Sequence, residues 1–340
     1  MSVWWVLPLS TLLAFIIAAL YLKYALSHNL LDAPNARSSH SIPTPRGGGV
    51  SIVISFSIAT CIIFFSGLIT PRLFVALSGA GIGIAIVGFL DDRKPISARW
   101  RLVFHFIASI WVLYFLGGLP VINIAGVEFY FGWIGHLLAV LYLIWLLNLY
   151  NFMDGINGIA SVEAICACFG AALCYYLAGQ YSSAYIPLVL AFSVLGFLYW
   201  NFPRAQIFMG DAGSGFLGIV LGGVSIHAAW VAPQVFWCWM ILLGVFIVDA
   251  TFTLFRRLVR GEKVYEAHRT HAYQNASRLF QGHTPVTLAI IVVNLVWLLP
   301  LSLLVASGFM DGFFATLLAY GPLTVLALKF DAGELEVMQS

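Results

Sequence analysis

Long apolar runs, interrupted by short polar or Gly/Pro-rich stretches, recur along the whole chain. Eleven runs are candidates to cross a bilayer, at about residues 3–26, 48–68, 73–90, 102–119, 133–150, 156–178, 184–200, 216–231, 234–255, 287–307 and 312–329. A spanning helix needs about 20 predominantly apolar residues, and a barrel strand about half that with alternating polarity. These runs have helix length and show no sustained alternation. The pattern therefore predicts an all-α, polytopic integral membrane protein. The first run lacks the basic start and small-residue cleavage site of a signal peptide, so it is read as the first span.

Composition agrees with that class. The chain is 61% hydrophobic and 9% charged, against about 25% charged residues in a soluble domain. Cys61, Cys166, Cys168, Cys174 and Cys238 all lie inside apolar runs without metal-site spacing, and read as packing residues. No internal repeat or soluble domain stands out, so residues 1–340 read as one integral membrane domain.

Charge adds an orientation. When the eleven runs are threaded as hairpins, the loops after odd-numbered spans and the final tail hold Lys23, Arg37, Arg46, Arg93, Lys94, Arg99, Arg101, Arg204, Arg256, Arg257, Arg260, Lys263, Arg269, Arg278 and Lys329. The other side holds Arg72. Short loops rich in Lys and Arg stay cytoplasmic. The expected N-terminus is therefore outside and the C-terminus cytoplasmic, and the asymmetry supports the count of eleven.

The same cytoplasmic loops, near residues 28–47, 91–101, 148–158, 201–215 and 256–286, carry the candidate chemistry. The first reads LLDAPNARSSHSIPTPRGGG and ends in a glycine run ahead of a helix. Backbone amides there, with Arg46 beside them, could hold phosphate; a flexible connector is the plainer reading. The second reads GFLDDRKPISARWR. Intramembrane acids are expensive and usually functional, and side chains one position apart on a helix diverge by about 100°, so one member of the Asp91–Asp92 pair should face a given ligand. Binding Mg²⁺, acting as a base, and pairing with Arg93 and Lys94 all remain open for the pair.

In LLNLYNFMDGINGIASVE, Asn148, Asn151 and Asp154 stand three apart and define a polar stripe that ends in a glycine turn. Amides can pair with a nucleobase edge or a sugar hydroxyl, whereas a carboxylate accepts hydrogen bonds or takes metal. Helix–helix hydrogen bonding is the alternative. Glu163 is a weaker candidate. In NFPRAQIFMGDAGSGFLG, Asp211 lies between glycines at the start of a helix, a place suited to phosphate and a divalent cation, and Phe208 could stack on a base. The longest loop contains His268, Arg269 and His271, here read as part of a short helix. No third ligand at a recognisable spacing supports zinc. Contact with a diphosphate fits better, and a basic surface facing anionic lipid is the general alternative. His105, His136 and His227 read as satisfied helix or interface residues.

The motifs GFLDDR, NLYNFMDGING, FMGDAGSGFLG and HRTHAYQ, in this order and in alternate loops, resemble those of the polyprenyl-phosphate N-acetylhexosamine-1-phosphate transferases, within glycosyltransferase family 4. That superfamily includes phospho-N-acetylmuramoyl-pentapeptide transferase. The resemblance spans nearly the whole chain, and its first loop is closer to the bacterial branch that initiates O-antigen or related surface polysaccharides. It implies a multi-pass enzyme of the bacterial inner membrane with a cytoplasmic active site. The implied reaction transfers a sugar 1-phosphate from a UDP-N-acetylhexosamine to a polyprenyl phosphate, releasing UMP, with Mg²⁺ as cofactor and Mn²⁺ as the alternative ion.

Carried over by motif, the family's metal-binding aspartate falls on Asp211, and its paired aspartates fall on Asp91 and Asp92, one of which would activate or position the lipid phosphate and either of which could share the metal. Nucleotide contacts fall on Asn151, Asp154 and Phe208; diphosphate or sugar contacts fall on His268, Arg269 and His271. Asn157 replaces the second aspartate that many relatives carry, which weakens a metal or proton role there and leaves hydrogen bonding to sugar or nucleotide. Direct transfer and a phosphoenzyme route both remain open. A homodimer is a candidate assembly, and no nucleic-acid partner is expected. Muramoyl-pentapeptide transfer is the alternative within the class. Outside it, a secondary transporter would place its polar residues near the midplane, often within internal repeats, and the polar clusters here gather at one surface.

Overall fold

The computed structural model describes residues 3–34, 42–262 and 268–334. Arg37, His40 and Lys263, which enter the loop readings above, lie outside the described residues. The chain is helical, with two small hairpins: Leu31–Asp32 with Thr44–Pro45, and Ile122–Ile124 with Val127–Phe129.

Helices α1 (Val6–Ser27), α2 (Val50–Phe65), α3 (Pro71–Arg93), α4 (Ala98–Leu116), α5 (Gly132–Met153), α6 (Ile159–Leu177) and α7 (Tyr185–Asn201) follow the apolar runs. They are succeeded by α8 (Gly210–Val231), α9 (Pro233–Leu242), α10 (Gly244–Val259), the short α11 (Ala272–Leu279), α12 (His283–Val293), α13 (Leu299–Ala306) and α14 (Gly312–Lys329). Local signals set several starts: Pro71 enters α3 behind Thr70, whose hydroxyl accepts the Leu73 amide at 3.2 Å, and Asp311 accepts the amides of Phe313 and Phe314 ahead of α14.

Among the described residues, nine helices are long and apolar enough to cross a membrane, and ten if a bent pair counts as one span. Two segments depart from simple spans. The second apolar run forms α2, only 16 residues long, because Gly48 and Gly49 form a turn before it and Ser66 and Gly67 another after it. The run at 234–255 divides into α9 and α10, which meet at 64°. A π-turn at Asn294–Leu298 joins α12 to α13.

Helix α8 is the hub, with most of its length buried against α3 on one side and α5 on another. Close approach explains its glycines. A Cβ on Gly218 would stand 2.6 Å from the Leu147 Cα of α5, and a Cβ on Gly88 of α3 would collide with the Asp211 carbonyl and the Ala212 amide. Small residues let backbones meet where lipid offers no hydrophobic drive between helices. Gly88 thereby brings the acidic end of α3 against the start of α8.

Candidate active site

The ends of α3, α5 and α8 converge at one end of the bundle. As the 100° offset requires, Asp91 and Asp92 separate. Asp91 lines a cleft between α3, α4, α5 and α8; its carboxylate accepts the Ile96 amide and the Arg101 guanidinium, the latter at 3.1 Å. Asp92 turns away, its side chain only 3% exposed. Arg46 binds Asp92 through both Nε, at 2.9 Å, and Nη2, while the amides of Asp211 and Ala212 donate to its two oxygens at 3.1 and 3.4 Å. Asp92 thus caps α8, satisfying amides at a helix N-terminus and placing negative charge at its positive end.

This arrangement corrects two expectations. The α8 amides considered for phosphate are occupied by Asp92. In the glycine turn, Gly48 donates to the Phe208 carbonyl at 2.9 Å and Gly49 to the Met209 carbonyl at 2.8 Å, so those amides serve packing of the turn on the segment ahead of α8. Phe208 itself lies half-buried there, its amide donating to the Pro45 carbonyl at 2.8 Å.

Asp211 faces the cleft with its side chain 27% exposed. Asn151 donates to it at 2.9 Å, and Arg101 Nη1 lies 3.7 Å from its other oxygen. Asn148 and Asn151 of the predicted stripe both line the cleft, whereas Asp154 has passed the end of α5. Burial, then the negative charge of Asp211 and Asp92, holds the Asp154 carboxyl well above the usual carboxylate range. The cleft encloses about 620 Å³. Its polar end carries Asp91, Arg101, Asn151 and Asp211, and its walls are apolar, including Ile84, Val87, Leu102 and Leu147. His105, read from the sequence as a satisfied packing residue, lines it too, 3.4 Å from Asn148.

The HRTH segment lies ahead of α11 in irregular conformation, not within a helix, and His271, with extended backbone, is the residue before the first helical turn. The rings of His268 and His271 stack at 4.8 Å, and both lie near Phe152, a cleft residue, at 6.5 and 6.4 Å. Burial, with His271 and Arg257 nearby, pushes His268 down to about 3. His268 is therefore neutral near pH 7, while Arg269 brings a fixed positive charge to this segment, and its own carbonyl accepts from Arg278 at 3.1 Å. Asn157 sits apart from this cluster: its amide donates to the Pro203 carbonyl at 3.1 Å, and Thr287 donates to its carbonyl at 2.9 Å.

Sequence reading passed over Arg101 and Asp249. Arg101 looked like one more orientation charge; Asp249 lies within an apolar run and gave a signal only as an acid inside a span. Among the described residues, no group of three His, Cys, Asp or Glu side chains is arranged to hold a metal ion. Two cleft-facing carboxylates fit Mg²⁺, which is commonly bound by one or two carboxylates completed by substrate phosphates and water.

A bundle of membrane-length helices with an acidic and amide-rich site at one end, opening between apolar walls, defines a membrane-embedded protein suited to a ligand with both anionic and apolar parts. The family profile for glycosyl transferase family 4 matches residues 74–229. The chain is 27% identical over 294 residues to the "Probable undecaprenyl-phosphate N-acetylglucosaminyl 1-phosphate transferase" of Bacillus subtilis (strain 168), covering 85% of this chain and 81% of that one. It is 30% identical over 295 residues to the "Decaprenyl-phosphate N-acetylglucosaminephosphotransferase" of Mycolicibacterium smegmatis, covering 76% and 71%. A "Phospho-N-acetylmuramoyl-pentapeptide-transferase" of Bacillus licheniformis is 28% identical over 245 residues, covering 67% and 74%. The chain belongs to glycosyl transferase family 4.

Proposed function

We propose that this protein transfers a sugar 1-phosphate from a UDP-N-acetylhexosamine to a polyprenyl phosphate, releasing UMP and forming a polyprenyl-diphosphate-linked sugar that initiates a surface polysaccharide. The observation that carries the reading is the cleft, whose polar end joins Asp91, Arg101, Asn151 and Asp211 and whose apolar walls lie among membrane-length helices. A lipid phosphate has that division of character, and the soluble donor can approach from the loop side. A topology of eleven crossings with the N-terminus outside is part of this proposal and would set the site at the cytoplasmic face of a bacterial inner membrane; the one-sided lysines and arginines support that orientation.

The acceptor's phosphate oxygen attacks the phosphorus bonded to the sugar; a P–O bond forms there as the bond to the uridine-bearing phosphate breaks, and UMP leaves with the electron pair. Asp91, held by Arg101 and the Ile96 amide, orients the acceptor phosphate and takes its proton when that phosphate arrives protonated. Asp211, steadied by Asn151, and Asp91 are the residues that would hold Mg²⁺. When bound, that ion offsets the repulsion between the two phosphate substrates and the charge growing on UMP. Asp92 acts by fixing the start of α8. Arg269 with the His268–His271 pair binds the donor's diphosphate or sugar.

The test uses purified protein, undecaprenyl phosphate, Mg²⁺ and a panel of UDP-N-acetylhexosamines. UMP release with formation of lipid-linked sugar is expected; folded protein that releases no UMP with any donor overturns the reading. UDP-N-acetylmuramoyl-pentapeptide belongs in the panel because transferases named for that substrate are also among the relatives.

A further inference from the structure

Asp249 lies on α10, beyond the break that separates this helix from α9, and is 6% exposed. An acid inside a membrane helix is expensive unless its lone pairs are used, and here they are used fully. Oδ1 accepts from His271 Nδ1 at 3.2 Å, the Ala272 amide at 3.0 Å and the Thr253 hydroxyl at 3.1 Å; Oδ2 accepts the Tyr273 amide at 3.0 Å. One carboxylate therefore fixes an imidazole and the first two amides of α11. Eight residues are too few for a helix to hold itself in water, so this anchor sets where α11 and the turn before it lie.

Two contacts carry that placement to the cleft. The Tyr273 hydroxyl donates to the Phe152 carbonyl at 2.9 Å, next to Asn151, which holds Asp211. The His271 ring lies 6.4 Å from the Phe152 ring and stacks on His268. The facing carboxylate calls for a proton on His271 Nδ1.

We propose that Asp249 is a positioning residue for the nucleotide-sugar donor: it holds His271 and the HRTH turn beside Phe152, so that losing it weakens donor binding while leaving the lipid acceptor's binding unchanged. The inference rests on the transferase reading and assigns the HRTH turn to the donor rather than to the lipid. The apolar walls that suit a lipid come from α3, α4 and α5; the Asp249 carboxylate bonds to His271, Ala272, Tyr273 and Thr253 and reaches α5 through Tyr273 at the Phe152 carbonyl, beyond the apolar wall residues.

Full-length Asp249→Ala should raise KM for UDP-N-acetylglucosamine roughly tenfold or more, the scale of losing hydrogen bonds to a charged group, with KM for undecaprenyl phosphate within about twofold of wild type. Asp249→Ala combined with His271→Ala should be no worse than the poorer single variant, since the two act as one unit. Unchanged donor KM with only a lower unfolding temperature, equal rises in both KM values, or additive losses would overturn the proposal. If Asp249→Ala cannot be purified folded, Asp249→Asn replaces it: one amide N–H then confronts a former donor, and the donor KM must still rise. Calorimetric binding of UDP gives a readout independent of turnover. Weaker UDP binding by the variant supports the positioning role even if every sugar donor proves inactive, whereas equal binding, or none by wild type, overturns it.

Discussion

Asp92 is joined to Asp211 through the backbone: its Oδ1 accepts the Asp211 amide at 3.1 Å, and Arg46 holds the same carboxylate from the other side. The paired aspartates therefore divide their tasks, Asp91 toward the cleft and Asp92 toward the helix that carries Asp211. Asp92→Ala should lose turnover and about 1–2 kcal/mol of stability, the usual scale for a lost N-cap. Asp92→Asn, whose single side-chain oxygen can still accept one of the two amides, should fall between it and wild type. Thermal unfolding in detergent beside UMP release checks this; a fully stable Asp92→Ala would show that the cap does not hold α8.

Asp211→Asn should behave differently. The side chain is partly open to the cleft, where it accepts from Asn151 and meets the Asp91 carboxyl and the Arg101 guanidinium rather than holding a helix in place. Turnover should fall by at least about a hundredfold, in line with loss of a carboxylate that stabilises reacting charge, while the unfolding temperature stays near wild type. Near-normal turnover would remove Asp211 from the ion-binding role.

Much of this site was legible because a bilayer makes polar residues conspicuous. Asp91, Asp92, Asn148 and Asn151 interrupt apolar runs, and motif order tied them to Asp211. Arg101 was hidden by its company: among so many cationic loop residues, nothing in its spacing said that it would lie between Asp91 and Asp211. The break between Leu242 and Gly244 was equally hidden, since the run stays apolar across it and contains no internal proline to announce a bend. Asp249 needed three-dimensional information, because its partners arrive from a loop more than twenty residues later.

His268 gives a pH prediction. Its folded-state value of about 3 lies below the ordinary histidine value of about 6.5. Below about pH 6.5 the unfolded chain therefore binds a proton that the folded chain refuses, and stability is lost as pH falls from there toward 3. His268→Gln removes this contribution. Between pH 7 and pH 5 the unfolding temperature of wild type should fall further than that of the variant, the shared carboxylates cancelling in the comparison. Parallel curves would mean that His268 titrates normally in the folded protein.

At Asn157, where the motif resemblance leads one to expect an aspartate, introducing the acid is a sharper test than removing the amide. The Asn157 Nδ2 donates to the Pro203 carbonyl at 3.1 Å, and the Asn157 carbonyl accepts from Thr287, so the residue ties the turn after α5 to the loop after α7 and to α12. A carboxylate has no proton to give near neutral pH. Asn157→Asp would set an anion against the Pro203 carbonyl. The expected result is a loss of about 1 kcal/mol in stability, kept small because the bond is partly open to solvent, with lower turnover. Asn157→Gln, which keeps the amide but lengthens its reach, should recover part of the stability. An Asn157→Asp protein that is as stable as wild type and turns over faster would assign this position to the chemistry rather than to holding the turn.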